Sequence, residues 1–144
     1  MLSETILRTI GSLERDLIEA RVRRIYDLWS HGEIDEVISG MSADVKMVPR
    51  GQWVGAEPPA EGRAAVAARL RAFGDIAENI VSVLHEIIID GDRAVVHRTA
   101  VGRRRDNGQR YQCDFVDFFR FRDGYMVEYS AYPDPVWVNM QMRA

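Results

Sequence analysis

The sequence predicts an α+β domain in which about three helices cover one face of a curved sheet. Three observations carry that prediction. Apolar residues recur at intervals of three and four through the first half of the chain. From Asn79 onward the spacing changes to alternation. The alternating half is cut by Asp90-Gly91-Asp92, Asp106-Asn107-Gly108 and Arg122-Asp123-Gly124, each a hairpin signal.

Leu2, Ile6, Ile10 and Leu13, then Ile18, Val22, Ile25 and Trp29, give the first helix one apolar side. Gly11-Ser12 offers a break within it, with Ser12 as a fresh N-cap. Gly32 supplies the stop, and Ile34, Val37, Ile38 and Met41 repeat helical spacing in a short second helix. Asp44 to Val48 reads as a brief strand that ends at Pro49. Arg50 to Gly62 holds Pro58, Pro59 and three glycines, so it reads as a loop, with Trp53 placed to cover something apolar. Val66, Leu70 and Phe73 are the buried stripe of a third helix. Four strands of about ten or more residues follow, longer than the usual five to six, and that length implies strong curvature.

Register arithmetic then singles out three polar residues. A two-residue turn at Asn107-Gly108 pairs Asp106 with Gln109 and, further along the ladder, Arg98 with Asp117. Asp117 interrupts a face that otherwise reads Tyr111, Cys113, Phe115, Phe119, Phe121. A charge in such a row is costly unless paired, and the register offers Arg98 as its partner. With Arg98 opposite, the Asp117 carboxyl is expected to be ionised and suited to act as a base; without that contact, it is expected to stay protonated and donate. A two-residue turn at either Asp90-Gly91 or Gly91-Asp92 adds His85 to the same face, whereas a three-residue turn reverses the parity. For the last hairpin, a turn at Arg122-Asp123 with Gly124 as a bulge brings in Val127, Tyr129 and Ala131; a turn at Asp123-Gly124 presents Glu128 instead. The opposite face carries His97, Thr99, Val116 and Phe118, apolar enough to suggest a homodimer packed back to back through the outer sheet face.

Composition narrows the function. With 144 residues the chain fits one domain, spanning 1–144, that can enclose a pocket without disulfides. A net charge of -3 argues against a nucleic-acid partner. No apolar run reaches the roughly 20 residues of a membrane helix, so no membrane partner is expected. Cys113 is the only cysteine, which suits a reducing compartment and a cytoplasmic location, and it reads as a small buried hydrophobe. No phosphate loop, dinucleotide fingerprint, nucleophile elbow or spaced metal-ligand set is present, so neither cofactor nor metal is expected. Tyr26, Trp29, Trp53, Phe115 and Tyr129 would line a pocket for a small hydrophobic ligand.

The segment EGRAAVAARLRAF (61–73) and the closing strands FVDFFRFRDGYMVEYSAYPD (115–134) resemble the nuclear-transport-factor-two-like superfamily. That group includes ketosteroid isomerase, limonene-epoxide hydrolase, scytalone dehydratase and the SnoaL-type polyketide cyclases. The resemblance implies a cone in which helices and a curved mixed sheet enclose an apolar pocket. CDFVDFFRF (113–121) is similar to the isomerase strand whose aspartate donates to the oxyanion, and that aspartate falls on Asp117. The isomerase's general base falls near Val48 or Pro49 and its tyrosine near Ile25, with Tyr26 adjacent. Limonene-epoxide hydrolase places its arginine on Arg98, its two aspartates on Ala100 and Ala131, and its tyrosine and asparagine on Met47 and Pro49.

These readings converge on a cofactor-independent isomerase, dehydratase or cyclase. Asp117 and His85 would exchange protons with a small hydrophobic carbonyl or hydroxyl compound, and Arg98 would orient Asp117 or polarise an oxygen. A non-catalytic ligand-binding domain and an epoxide hydrolase are the alternatives.

Overall fold

A computed structural model describes residues 1–50 and 58–134. The expectation placed on Trp53 lies outside the described residues. The elements run α1 (Glu4–Ser30), α2 (Ile34–Ser39), β1 (Met41–Pro49), β2 (Ala60–Glu61), α3 (Arg63–Ile76), β3 (Ala77–Asp90), β4 (Arg93–Arg104), β5 (Arg110–Arg122) and β6 (Tyr125–Pro133). The six strands form one sheet in the order β2-β1-β6-β5-β4-β3, with β1 and β6 parallel and the other pairs antiparallel. This is the predicted α+β cone: a curled mixed sheet with three helices. β3, β4 and β5 hold 14, 12 and 13 residues, as the long alternating runs demanded, while β6 has 9. The short β2 was not foreseen; it sits within the segment read as loop.

The first helix departs from expectation in two ways. It runs unbroken through Gly11-Ser12, capped instead by Ser3, whose hydroxyl accepts from the Ile6 N–H at 3.2 Å. Its two apolar stripes also lie on opposite sides. Leu13 and Val22 are nine residues apart, about two and a half turns at 3.6 residues per turn. Val22 and Tyr26 are therefore buried, whereas Ile6, Ile10, Leu13 and Leu17 are exposed. Among the described residues, no helix is long and apolar enough to cross a membrane.

The core fills the concave side. Val22 of α1, Val45 of β1, Val66 of α3 and Val96 of β4 meet there with almost no exposure, joined by Phe119, Phe121 and Met126. Such convergence from both halves of the chain holds the helices over the sheet and leaves a hollow between them.

The three hairpins decide which side chains face that hollow. Between β3 and β4, Asp90 pairs with Arg93 around Gly91-Asp92, with Gly91 at positive φ, one of the two-residue turns foreseen. Ile87 and Ile89 accordingly point inward. Between Leu84 and Glu86, however, the register slips by one residue, so Leu84 faces inward opposite Arg98 and His85 is turned to the outer face. The inward placement of His85 is thus overturned by a β-bulge that two-residue turn arithmetic cannot foresee.

The β4–β5 turn is longer than its Asn-Gly dipeptide suggests. Asn107 does not adopt the positive φ that a type I′ turn requires; its side chain instead accepts from the Gln109 N–H at 2.9 Å. Arg104 N–H bonds to the Gln109 carbonyl, and the ladder shifts by two, pairing Arg98 with Phe115 and Asp117 with Val96. An even shift preserves parity. Arg98 and Asp117 are therefore diagonal neighbours on the inner face, not the direct pair that was expected. At the last hairpin Asp123 and Gly124 both take positive φ in a two-residue turn, and a register slip between Arg120 and Phe121 absorbs Val127. Tyr129 and Ala131 face inward by this route, and Glu128 faces out opposite Arg120.

Candidate active site

Under the sheet lies a hollow of about 340 Å³, walled mainly by apolar groups that include Ile25, Trp29, Met47, Leu70, Phe115 and Ala131. Trp29 stacks against Phe73 at 6.2 Å. Of the five residues expected to line a pocket, Tyr26, Trp29, Phe115 and Tyr129 do so; Trp53 lies outside the described residues.

One charged constellation stands against this wall. Asp117 has no exposed surface, and Arg98 retains 9%. Arg98 Nε donates to Asp117 Oδ2 at 2.5 Å and its Nη2 reaches Oδ1 at 3.5 Å. The Tyr26 hydroxyl donates to the same Oδ2 at 2.5 Å. Arg98 Nη1 donates to Ser82 Oγ at 3.1 Å, and the guanidinium lies over the Phe115 ring at 4.2 Å. Four elements contribute: α1 holds Tyr26, β3 Ser82, β4 Arg98 and β5 both Phe115 and Asp117.

Electrostatics follow from that geometry. Burial, offset by the carboxylate beside it, leaves Arg98 with its proton held even more firmly than usual. Burial first, then the neighbouring Asp117, raises the Tyr26 hydroxyl far above the ordinary tyrosine range. Tyr129 moves the same way, again through burial and then Asp117. The site therefore combines one guanidinium, one carboxylate and two phenols that keep their protons. Tyr26, Arg98 and Tyr129 line the hollow, whereas Asp117 sits behind them. Any ligand meets the carboxylate through those three groups.

His85 is not part of this site. Its Nε2 lies 2.6 Å from Thr99 Oγ1 on the outer face, on the far side of the sheet from Asp117. Tyr26 was expected only as wall, and its bond to Asp117 was missed, because nothing local to residues 26 and 117 fixes how a helix crosses a strand. Ser82 was missed for a different reason: the bulge that turns His85 outward is the same one that turns Ser82 inward, opposite Ala100. A further buried phenol, Tyr111, lies along the hollow; burial pushes it up to about 12.

Sheet, helices and hollow together define a pocket-bearing cone of the nuclear-transport-factor-two-like kind. The sequence model of the SnoaL-like domain matches residues 22–129, and the chain belongs to that family. Solved structures agree on the fold. An NTF2-like protein from Burkholderia xenovorans LB400 is 20% identical, with a TM-score of 0.75 over 90% of this chain and 98% of that one. A protein from Jannaschia sp. CCS1, provisionally described as a SnoaL-like polyketide cyclase, is 18% identical, with a TM-score of 0.75 over 88% and 94% of the two chains. A hypothetical protein with a ketosteroid isomerase-like fold from Catenulispora acidiphila DSM 44928, solved in complex with trimethylamine, is 14% identical, with a TM-score of 0.73 over 84% and 90%. No curated protein matches the sequence.

Proposed function

We propose that the protein is a cofactor-independent acid/base catalyst, an isomerase, dehydratase or cyclase, acting on a small hydrophobic carbonyl or hydroxyl compound. The observation that carries this reading is the Tyr26–Asp117–Arg98 constellation at the edge of an apolar hollow. Arg98 and Tyr26 both donate to Asp117 Oδ2, so within the constellation the carboxylate is the group placed to accept a proton. Because Asp117 is covered, Tyr26 relays: as its oxygen takes a proton from the substrate, its own hydroxyl proton passes to Asp117 Oδ2. Return along the same path delivers the proton to a different substrate atom in isomerisation, or to a departing hydroxyl in dehydration. Tyr129 and the guanidinium edge of Arg98 stabilise negative charge that develops on a substrate oxygen. A water-excluding, aromatic wall strengthens each of these interactions.

A binding-only reading has its own support. Asp117 is already satisfied by Arg98 and Tyr26, as a purely structural ion pair would be. Epoxide opening has less, since the two positions where that chemistry would place aspartates hold Ala100 and Ala131.

Proton exchange separates these readings without requiring the natural substrate. With 2-tetralone, an apolar cyclic ketone, in deuterium oxide, the wild type is expected to speed deuterium entry next to the carbonyl above the buffer rate. Tyr26→Phe should lose most of that gain. Retention of the ketone by the protein with exchange at the buffer rate supports binding alone.

We further assign the outer sheet face to a second copy of the chain, with the reducing cytoplasm as the place of action. Val81, Val83, Ile88, Phe118 and Tyr132 are each more than 40% exposed there, and back-to-back packing would cover them. Solution mass of the wild type and of Phe118→Arg tests this: a dimer that becomes a monomer supports it, and a wild-type monomer refutes it.

A further inference from the structure

Two of the chain's three histidines meet one carboxylate on the outer face, in a place unconnected with the hollow. We propose that His85, His97 and Asp114 form a binding site for a borderline divalent cation of the zinc type. One donor atom from each lies within 4.8 Å of the others. The imidazole rings of His85 and His97 are 4.9 Å apart, tilted by 46°. His97 Nε2 is 4.0 Å from Asp114 Oδ2.

The backbone builds this arrangement from three adjacent strands. His97 and Thr99 project outward from β4, and Asp114 pairs directly with Thr99 across the β4–β5 ladder. His85 joins them only because of the bulge in β3; without that extra residue its ring would point into the hollow. Bulges re-aim side chains, and this one brings a second imidazole onto the first.

Thr99 orients the set. Its hydroxyl donates to Asp114 Oδ1 at 2.6 Å, which leaves Oδ2 on the side of His97. The same hydroxyl oxygen lies 2.6 Å from His85 Nε2, so Thr99 touches both the carboxylate and an imidazole of the set. Holding a ligand carboxylate and an imidazole through one neighbouring hydroxyl is how metal sites fix their donors. Glu86, opposite His97 on the same face, adds a second negative charge to the patch.

Two imidazoles and a carboxylate suit zinc, nickel or copper far better than magnesium or calcium, which prefer all-oxygen shells. In a tetrahedral zinc site with bonds near 2.0–2.1 Å, donors stand about 3.3 Å apart, so these side chains need to close by about 1.5 Å at most. Three protein donors would leave a fourth position for water.

Tag-free protein titrated with Zn²⁺ against a chelating dye tests the proposal, with Co²⁺ absorption reporting the donor geometry. One ion per chain is expected, with affinity falling at least tenfold in both His97→Ala and Asp114→Asn, and with His31→Ala unchanged as a control. Thermal melts of the metal-free variants confirm that they fold. Wild-type protein that fails to compete with the dye, or affinity that survives both substitutions, overturns it.

Discussion

β3, β4 and β5 carry a polar cluster on each face, and the two clusters differ in almost every physical respect. Inside, Arg98, Asp117 and Tyr26 are buried and tied by bonds of 2.5 Å. Outside, Asp114 and His97 stay solvated and stand 4.0 Å apart. Asp114 and Asp117 lie three residues apart on β5 and so face opposite ways. What separates a costly buried charge from an inexpensive surface one is strand parity alone. A single bulged residue in β3 moves His85 from the first environment to the second.

The comparison breaks most visibly when one partner of a charge pair is removed. Asp117→Ala leaves Arg98 buried without its counter-charge and should cost about 3–5 kcal/mol, whereas Asp114→Ala should cost no more than about 1 kcal/mol. Chemical denaturation of both variants measures this, and equal losses would mean that the inner pair is not buried. Tyr26→Phe removes one hydrogen bond to a charged group while Arg98 continues to hold Asp117, so a loss of about 1.5–3 kcal/mol is expected in the same assay.

Alkaline pH sharpens the contrast further. Tyr26, Tyr129 and Tyr111 have folded pKa values raised above the ordinary value near 10, mainly by burial. The native state keeps these phenols neutral while the unfolded chain ionises them. Stability is therefore intact below about pH 10 and falls as pH rises beyond it. Phenolate absorbance should lag in native protein and appear together with unfolding. The smallest effect belongs to the outer face: Thr99→Val should shift stability by no more than about 0.5 kcal/mol, as is usual for exposed substitutions, and a larger loss would mark the outer network as structural.

Much of this was legible beforehand. Alternation and the charge within an aromatic row marked Asp117 as an inward residue, and even parity preserved its pairing with Arg98 although the turn was misjudged by two residues. Parity is a robust signal because only odd errors invert it. His85 failed on such an odd error, since a bulge has no fixed local sequence. Tyr26 was placed on the pocket wall, but its bond to Asp117 depends on how α1 crosses the sheet, which residue spacing does not encode. The outer histidine and carboxylate set was invisible for a related reason: its members come from three strands, and no spaced motif joins them. The exposed first half of α1 was also misjudged, because its two stripes were read as one face although nine residues separate Leu13 from Val22.

The most direct test of the central claim is deuterium exchange into 2-tetralone by Asp117→Asn, which keeps the shape of the side chain but removes its capacity to accept a proton. With thermal melting confirming a folded variant, exchange above the buffer rate should fall by about 10²-fold or more relative to the wild type. A folded Asp117→Asn protein that exchanges the ketone as fast as the wild type would contradict the account.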